Sequence, residues 1–266
     1  MKKIVLLAGF AVLALAGCKP DTAVKSTSES GAAPRSEAYS PAAPTVKLDP
    51  ATLGAVSGTI HFNGKAPAPV RIDTSMDPAC GMSGGGDMFS EQYVVHEGKL
   101  ANVFVYVKSG PAAAMAIGSS MSAPVVMDQK GCQYEPHVVG VVRGGSVEFH
   151  NSDVTMHNIH TMPTVVGNET VDVSQSPKGT PKSKQFKVPE LMIPVRCNNH
   201  PWMNAFINVS QTPFFAVSDA KGNFSIAGLP AGTYTLGAVH EKLGEQTLTV
   251  TVTAKGEAKA DFAFSK

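Results

Sequence analysis

Charge is scarce in this sequence. Only 16% of its 266 residues are Asp, Glu, Lys or Arg, and 22 basic side chains face 21 acidic ones. The formal net charge of +1 gives no basic field for nucleic acid and no pull towards an acidic surface. Apolar runs are short, and Ile4 to Ala16 is too brief to span a bilayer. No internal repeat stands out. Lys19 to Pro50 has almost no large apolar side chains, so burial there cannot offset the entropy of ordering, and the stretch reads as a disordered tether.

Glycine (25) and proline (19) are plentiful, which suits many short strands joined by turns, and an all-β protein is expected. The length allows one large domain or two small ones. Met1 to Gly17 reads as a targeting segment, with Lys2 and Lys3 at its positive end. It runs into Leu15-Ala16-Gly17-Cys18, which resembles a bacterial lipobox. That resemblance implies cleavage before Cys18, a diacylglycerol on its thiol and an acylated amine. Several chains together anchor stably, where one is marginal. An ordinary cleaved signal with an incidental Cys is the alternative. Lys19 stands where Asp would mark inner-membrane retention, which points to the periplasmic face of the outer membrane. A tether of roughly 30 residues reaches about 30 Å, and the folded body then begins at Ala51.

Strand-like patterns follow: Ala55 to Phe62, then Ala101 to Lys108 with Val103, Val105 and Val107 on one face. Farther on come Val125 to Met127, His137 to Val142 and Ser146 to Asn151. The densest chemistry lies in Arg196-Cys197-Asn198-Asn199-His200-Pro201-Trp202-Met203. A thiolate, an imidazole and a thioether so close together, joined by a second His from elsewhere, make the ligand set of a mononuclear blue-copper site.

From Pro124 to Ser210 the chain resembles cupredoxins, the amicyanin-like ones in particular. The shared pattern is a Gly turn, a strand ending in Asn, a His followed by Asn, and Cys-x2-His-x2-Met much later. The resemblance implies His157 as first ligand, Cys197 as second, His200 as third and Met203 as the axial one, around a single type 1 copper. Asn158 matches the residue that ties the two ligand loops together. His160 lies three residues from His157 and, on an extended strand, faces the other way, so it is expected near the site or on the surface. Trp202 is either core or beside an exposed edge of His200 where a partner would dock. His61, His96, His137, His150 and His240 lack metal spacing. Met76, Met82, Met88, Met115 and Met121 are either soft Cu(I) donors or gap-fillers. Lys178, Lys182, Lys184 and Lys187 form a basic run in a Ser/Pro/Gly loop, either solvated or steering an acidic redox partner. Zinc in a Cys/His site remains possible, but a single Cys and an axial thioether favour copper.

With Cys18 assigned to lipid and Cys197 to the metal by these resemblances, Cys80 and Cys132 remain. Export puts them where disulfides persist, and a Cys80–Cys132 bridge is expected. A pairing that consumes Cys197 stays open and would abolish the site.

Gly222-Asn223-Phe224-Ser225-Ile226-Ala227-Gly228-Leu229-Pro230-Ala231-Gly232-Thr233-Tyr234 resembles the carboxypeptidase regulatory-like, transthyretin-like β-sandwich. Val56-Ser57-Gly58-Thr59 and Val103 to Val107 match strands of that family far upstream. The expected layout is therefore a leader (1–17), a lipidated Cys and tether (18–50), and a transthyretin-like sandwich split into 51–123 and 211–266. A Greek-key, cupredoxin-like copper domain (124–210) is inserted between the two parts; a single merged sandwich is the alternative. The expected function is a membrane-anchored one-electron carrier for a redox protein such as a c-type cytochrome or a membrane oxidoreductase. Copper storage or delivery, or a structural or polysaccharide-binding lipoprotein with a vestigial site, are the alternatives. No His-x-His pair, second copper centre or Ser/His/Asp arrangement recommends an enzyme.

Overall fold

The computed structural model describes residues 48–83, 87–118 and 123–266. The leader, Cys18, the tether as far as residue 47, Gly84, Gly85, Gly86 and Met121 lie outside the described residues. Among the described residues the fold is all-β, with short helical turns at Pro50–Thr52, Pro78–Ser83, Glu91–Tyr93 and Ala112–Met115. None is long and apolar enough to cross a membrane.

Strands from both ends of the chain build one sandwich. Its spine is Leu53–Asn63, which pairs antiparallel with Asn223–Pro230 and parallel with Glu257–Lys259 and Phe262–Ser265. Alternation along the spine sends Val56, Ile60 and Phe62 inward. Gly58 shares that face, and a Cβ there would lie 1.8 Å from the carbonyl oxygen of Ala260, so only glycine lets the neighbouring chain pass. The facing sheet runs Phe215–Val217, Phe104–Ser109, Gly232–His240, Gly244–Val252. Val105 and Val107 from it meet Val56, Ile60, Phe224, Leu236 and Phe262 in a shared core.

The residues between these strands build a second sandwich. One sheet orders Asp172–Gln175, His157–Thr161, Glu190–Arg196, Asn204–Ser210 and Val138–Val142, with the last pair parallel. The other orders Lys182–Gln185, Ser146–Asn151, Val125–Lys130 and Gln133–Glu135. Met127, Tyr134, Phe149, Ile159, Phe186, Ile193 and Ile207 fill the space between them. The lysine-rich stretch expected as a loop contributes the edge strand Lys182–Gln185, which pairs with Ser146–Asn151. Lysines on an edge are a usual guard against further pairing.

The two sandwiches share a small third core. Phe104 faces away from Val103 and Val105 along its strand yet is fully buried, because it packs on Val138 and Val239 with Phe206 and Phe215 alongside. Alternation alone marks Phe104 as the outward face; the second sandwich is what covers it. Gly140 lies at this seam, where a Cβ would fall 2.5 Å from the Phe104 ring and 2.6 Å from the Phe215 ring. Beside it the buried His137 Nε2 lies 2.7 Å from the carboxylate of Glu241, a polar pin between the two units. Gly140→Ala is expected to cost about 1–3 kcal/mol through overpacking, read as a lower denaturant midpoint. An unchanged midpoint would mean the rings part freely.

Candidate metal centre

The loop from Cys197 to Met203 closes on itself. The Cys197 N–H donates to the Met203 carbonyl (3.3 Å), and the Met203 N–H donates to the His200 carbonyl (2.9 Å). This brings Cys197, His200 and Met203 to the end of the second sandwich, all three buried. His157 opens the strand His157–Thr161, which pairs with Glu190–Arg196 through Val195 and Arg196. The sheet thus delivers His157 beside Cys197 although 40 residues separate them in sequence.

The His157 and His200 Nδ1 atoms lie 3.0 Å apart, and the Cys197 Sγ is 3.5 Å from the His200 Nδ1. Ligand atoms of all three lie within 4.8 Å of one another. Cys197 is a free, buried cysteine, while Cys80 and Cys132 are joined in a disulfide. Met203 lies in the core that also holds Cys197.

Carboxylates hold the far side of each ring. The His157 Nε2 is 2.8 Å from the Asp153 Oδ2, and the His200 Nε2 is 2.9 Å from the Asp77 Oδ2. A ring that donates from Nε2 keeps its Nδ1 lone pair free for other work. Asp153 also accepts the N–H groups of Gly131 and Cys132 at 2.7 and 2.8 Å. Burial alone would raise its carboxyl, but His157 and these two amides outweigh it and hold it below the usual carboxylate range. Asp77 is held low chiefly by the Thr155 hydroxyl, 2.8 Å away.

Burial opposes charge on both His157 and Cys197. For His157 the Asp153 carboxylate and the Cys197 sulfur outweigh burial and raise the imidazole to about 9. For Cys197 the His157 ring, the Asn158 N–H and the His200 ring outweigh it and lower the thiol to about 7. In the metal-free pocket each of the two groups therefore favours the charged form of the other.

Asn158 joins the two loops directly. Its N–H donates to the Cys197 sulfur at 3.2 Å, its side-chain oxygen accepts the Asn198 N–H at 3.3 Å, and its amide donates to Asp172 at 3.0 Å. The Tyr134 hydroxyl donates to the Asn158 carbonyl from inside the core. His160 lies away from the three donors; its Nδ1 is 3.1 Å from the Asn198 side-chain oxygen. The Trp202 ring lies 5.1 Å from the His200 ring, and its indole N–H donates to the Cys132 carbonyl at 3.1 Å. His200 is only 3% exposed, so the exposed imidazole edge considered from sequence is covered. Two functional residues escaped the sequence reading. Asp153 stands four residues before His157 with no motif of its own, and Asp77 comes from a segment 123 residues upstream of His200.

Residues 195–265 match the carboxypeptidase regulatory-like domain family. The match starts in the strand leading into the Cys197 loop and runs through the C-terminal strands of the first sandwich. No curated protein matches the chain. Among solved structures, the Cu-containing nitrite reductase of Thermus scotoductus SA-01 is 24% identical over 39% of this chain, with a TM-score of 0.29. The aligned stretch spans only 27% of that enzyme. A Cu(I) form of an amicyanin variant is 20% identical over 40% of this chain and 98% of its own, with a TM-score of 0.30. An oxidised amicyanin variant is 21% identical over the same shares, also at 0.30.

The ultraviolet thiolate absorption of metal-free protein, taken as wild type minus Cys197→Ser, is expected to rise with a midpoint near pH 7. A midpoint at the ordinary thiol value, near 8.5, would contradict the pairing of Cys197 with His157.

Proposed function

We propose that this chain is a lipid-anchored, extracytoplasmic type 1 copper protein that carries single electrons and is not an enzyme. One observation carries the reading: two imidazole Nδ1 atoms and one thiol sulfur, delivered by a strand and a distant loop, converge in a buried pocket. Both rings engage carboxylates through their Nε2 atoms, so it is the Nδ1 atoms that face one another and the sulfur. That donor set fits copper: His157, Cys197 and His200 would hold the ion, with the Met203 thioether as a weak axial donor. A single Cys with a buried thioether suits zinc less well. When bound, the copper supplies a one-electron couple between Cu(II) and Cu(I).

The chain's own residues do the rest. Asp153 and Asp77 fix which ring nitrogen keeps its proton, and the Asn158 N–H on the Cys197 sulfur tunes its electron density. Burial keeps water out, and the closed Cys197–Met203 loop on a packed sheet restrains the donors against rearrangement. Cys18, lipidated by its lipobox resemblance, tethers the folded part to the periplasmic face of a membrane. The partner class is a c-type cytochrome or a membrane oxidoreductase. Lys178, Lys182 and Lys187 are exposed and available to steer an acidic partner, whereas Lys184 pairs with Glu169 at 3.0 Å. The carboxypeptidase regulatory-like unit is assigned a structural role.

The closure over His200 favours a second reading, copper retention for storage or delivery without electron transfer. A colourless protein that binds only Cu(I) would select it. A coloured protein, reversibly reduced and then reoxidised by a c-type cytochrome, would select the carrier.

Cu(II)-loaded wild type is expected to show an intense sulfur-to-copper absorption that Cys197→Ser lacks. Copper uptake without that band, or an equal band in the variant, would overturn the assignment.

A further inference from the structure

His200 lies on the Cys197–Met203 loop, and its Nε2 meets Asp77, from a segment outside every strand of the second sandwich. Three contacts place this carboxylate. Its Oδ1 accepts the Ala79 N–H at 2.9 Å, capping the short helix Pro78–Ser83. Its Oδ2 accepts the Thr155 hydroxyl at 2.8 Å, two residues before His157. The helix itself is fastened by Cys80, whose disulfide partner Cys132 donates its N–H to Asp153 and accepts the Trp202 indole N–H. One bridge therefore stands behind both carboxylates and behind the ring that covers His200.

We propose that Asp77 is a positioning residue for the metal centre. It fixes the His200 ring through Nε2, and the Cys80–Cys132 bridge keeps the carboxylate in place. The inference rests on the copper reading of the site for its consequence, though not for its geometry. A His200 ring held at Nε2 cannot swing off the donor cluster without breaking a part-buried hydrogen bond to a carboxylate. The stretch from Asp77 to Cys80 thus supports the metal site, although none of its residues would touch the ion. A ligand role for Asp77 itself would require its Oδ2 to leave both the Thr155 hydroxyl and the His200 Nε2.

Two measurements test this together. In metal-free protein, long-range nitrogen–proton correlation spectra report which His200 nitrogen carries the proton. In Cu(II)-loaded protein, transfer of the ion to excess EDTA reports how firmly it is held. Wild type should show His200 protonated at Nε2. Asp77→Ala should mix the two tautomers and release copper about 10- to 100-fold faster. Thr155→Val, which removes the hydroxyl that holds Asp77, should shift both readings the same way but by less. Asp73→Ala, an exposed carboxylate on the same segment with no ring partner, should change neither. Cys80→Ser/Cys132→Ser should reproduce the Asp77→Ala effect, and adding Asp77→Ala to it should add little. An unchanged tautomer and unchanged release in Asp77→Ala would overturn the proposal, as would fully additive effects with the bridge variant. Should the bridge variant fail to fold, Asp77→Ala and Thr155→Val decide. If wild type takes up no copper, the copper reading fails, while the tautomer measurement still decides whether Asp77 positions His200.

Discussion

Two buried imidazoles whose Nδ1 atoms lie 3.0 Å apart, with a sulfur beside them, form a crowded set of donors. Without a constraint on protonation, either ring could turn its N–H inward and spoil the arrangement. The constraint is a carboxylate behind each ring: Asp153 behind His157 and Asp77 behind His200. Much of the surrounding structure serves to keep those two carboxylates in place. Asp153 is held by the amides of Gly131 and Cys132, Asp77 by a helix cap and the Thr155 hydroxyl, and the Cys80–Cys132 bridge joins the two neighbourhoods.

The same logic explains why the site lies at the end of a sandwich. A sheet can bring His157 against Cys197 because the strands His157–Thr161 and Glu190–Arg196 are neighbours in it. Asn158 then ties the two loops through its backbone N–H and its side-chain amide. Beneath them, Ile159, Tyr134 and Phe149 fill the core, so movement of either loop disturbs packing as well as hydrogen bonds. The first sandwich contributes at a distance. It meets the second across Phe104, Val138 and Val239, with Gly140 allowing the rings to close and His137–Glu241 adding a polar register. Contact of this kind, apolar with one satisfied polar pair, resists sliding better than apolar contact alone.

Much of this was legible in the sequence, for identifiable reasons. Period-two patterns such as Val103, Val105, Val107 read directly as strand faces, and the abundance of Gly and Pro read as turns. Cys197 and His200 are close in sequence, whereas His157 entered only through the resemblance to cupredoxins. Phe104 was not legible as core, because alternation describes one sandwich and cannot see a second packed on its outer face. Lys182 to Gln185 read as a loop because its residues are polar and an edge strand buries little. Asp77 and Asp153 were invisible for a different reason: their roles depend on hydrogen bonds to ring atoms, and such contacts leave no periodicity or motif.

The central claim is that one ion is held by two imidazole nitrogens and the Cys197 sulfur. X-ray absorption at the copper edge of the loaded protein tests it most directly. The account predicts a first coordination sphere of two nitrogen neighbours and one short sulfur, with outer scattering typical of imidazole rings. A sphere of oxygen and nitrogen alone, or one containing two short sulfurs, would contradict it.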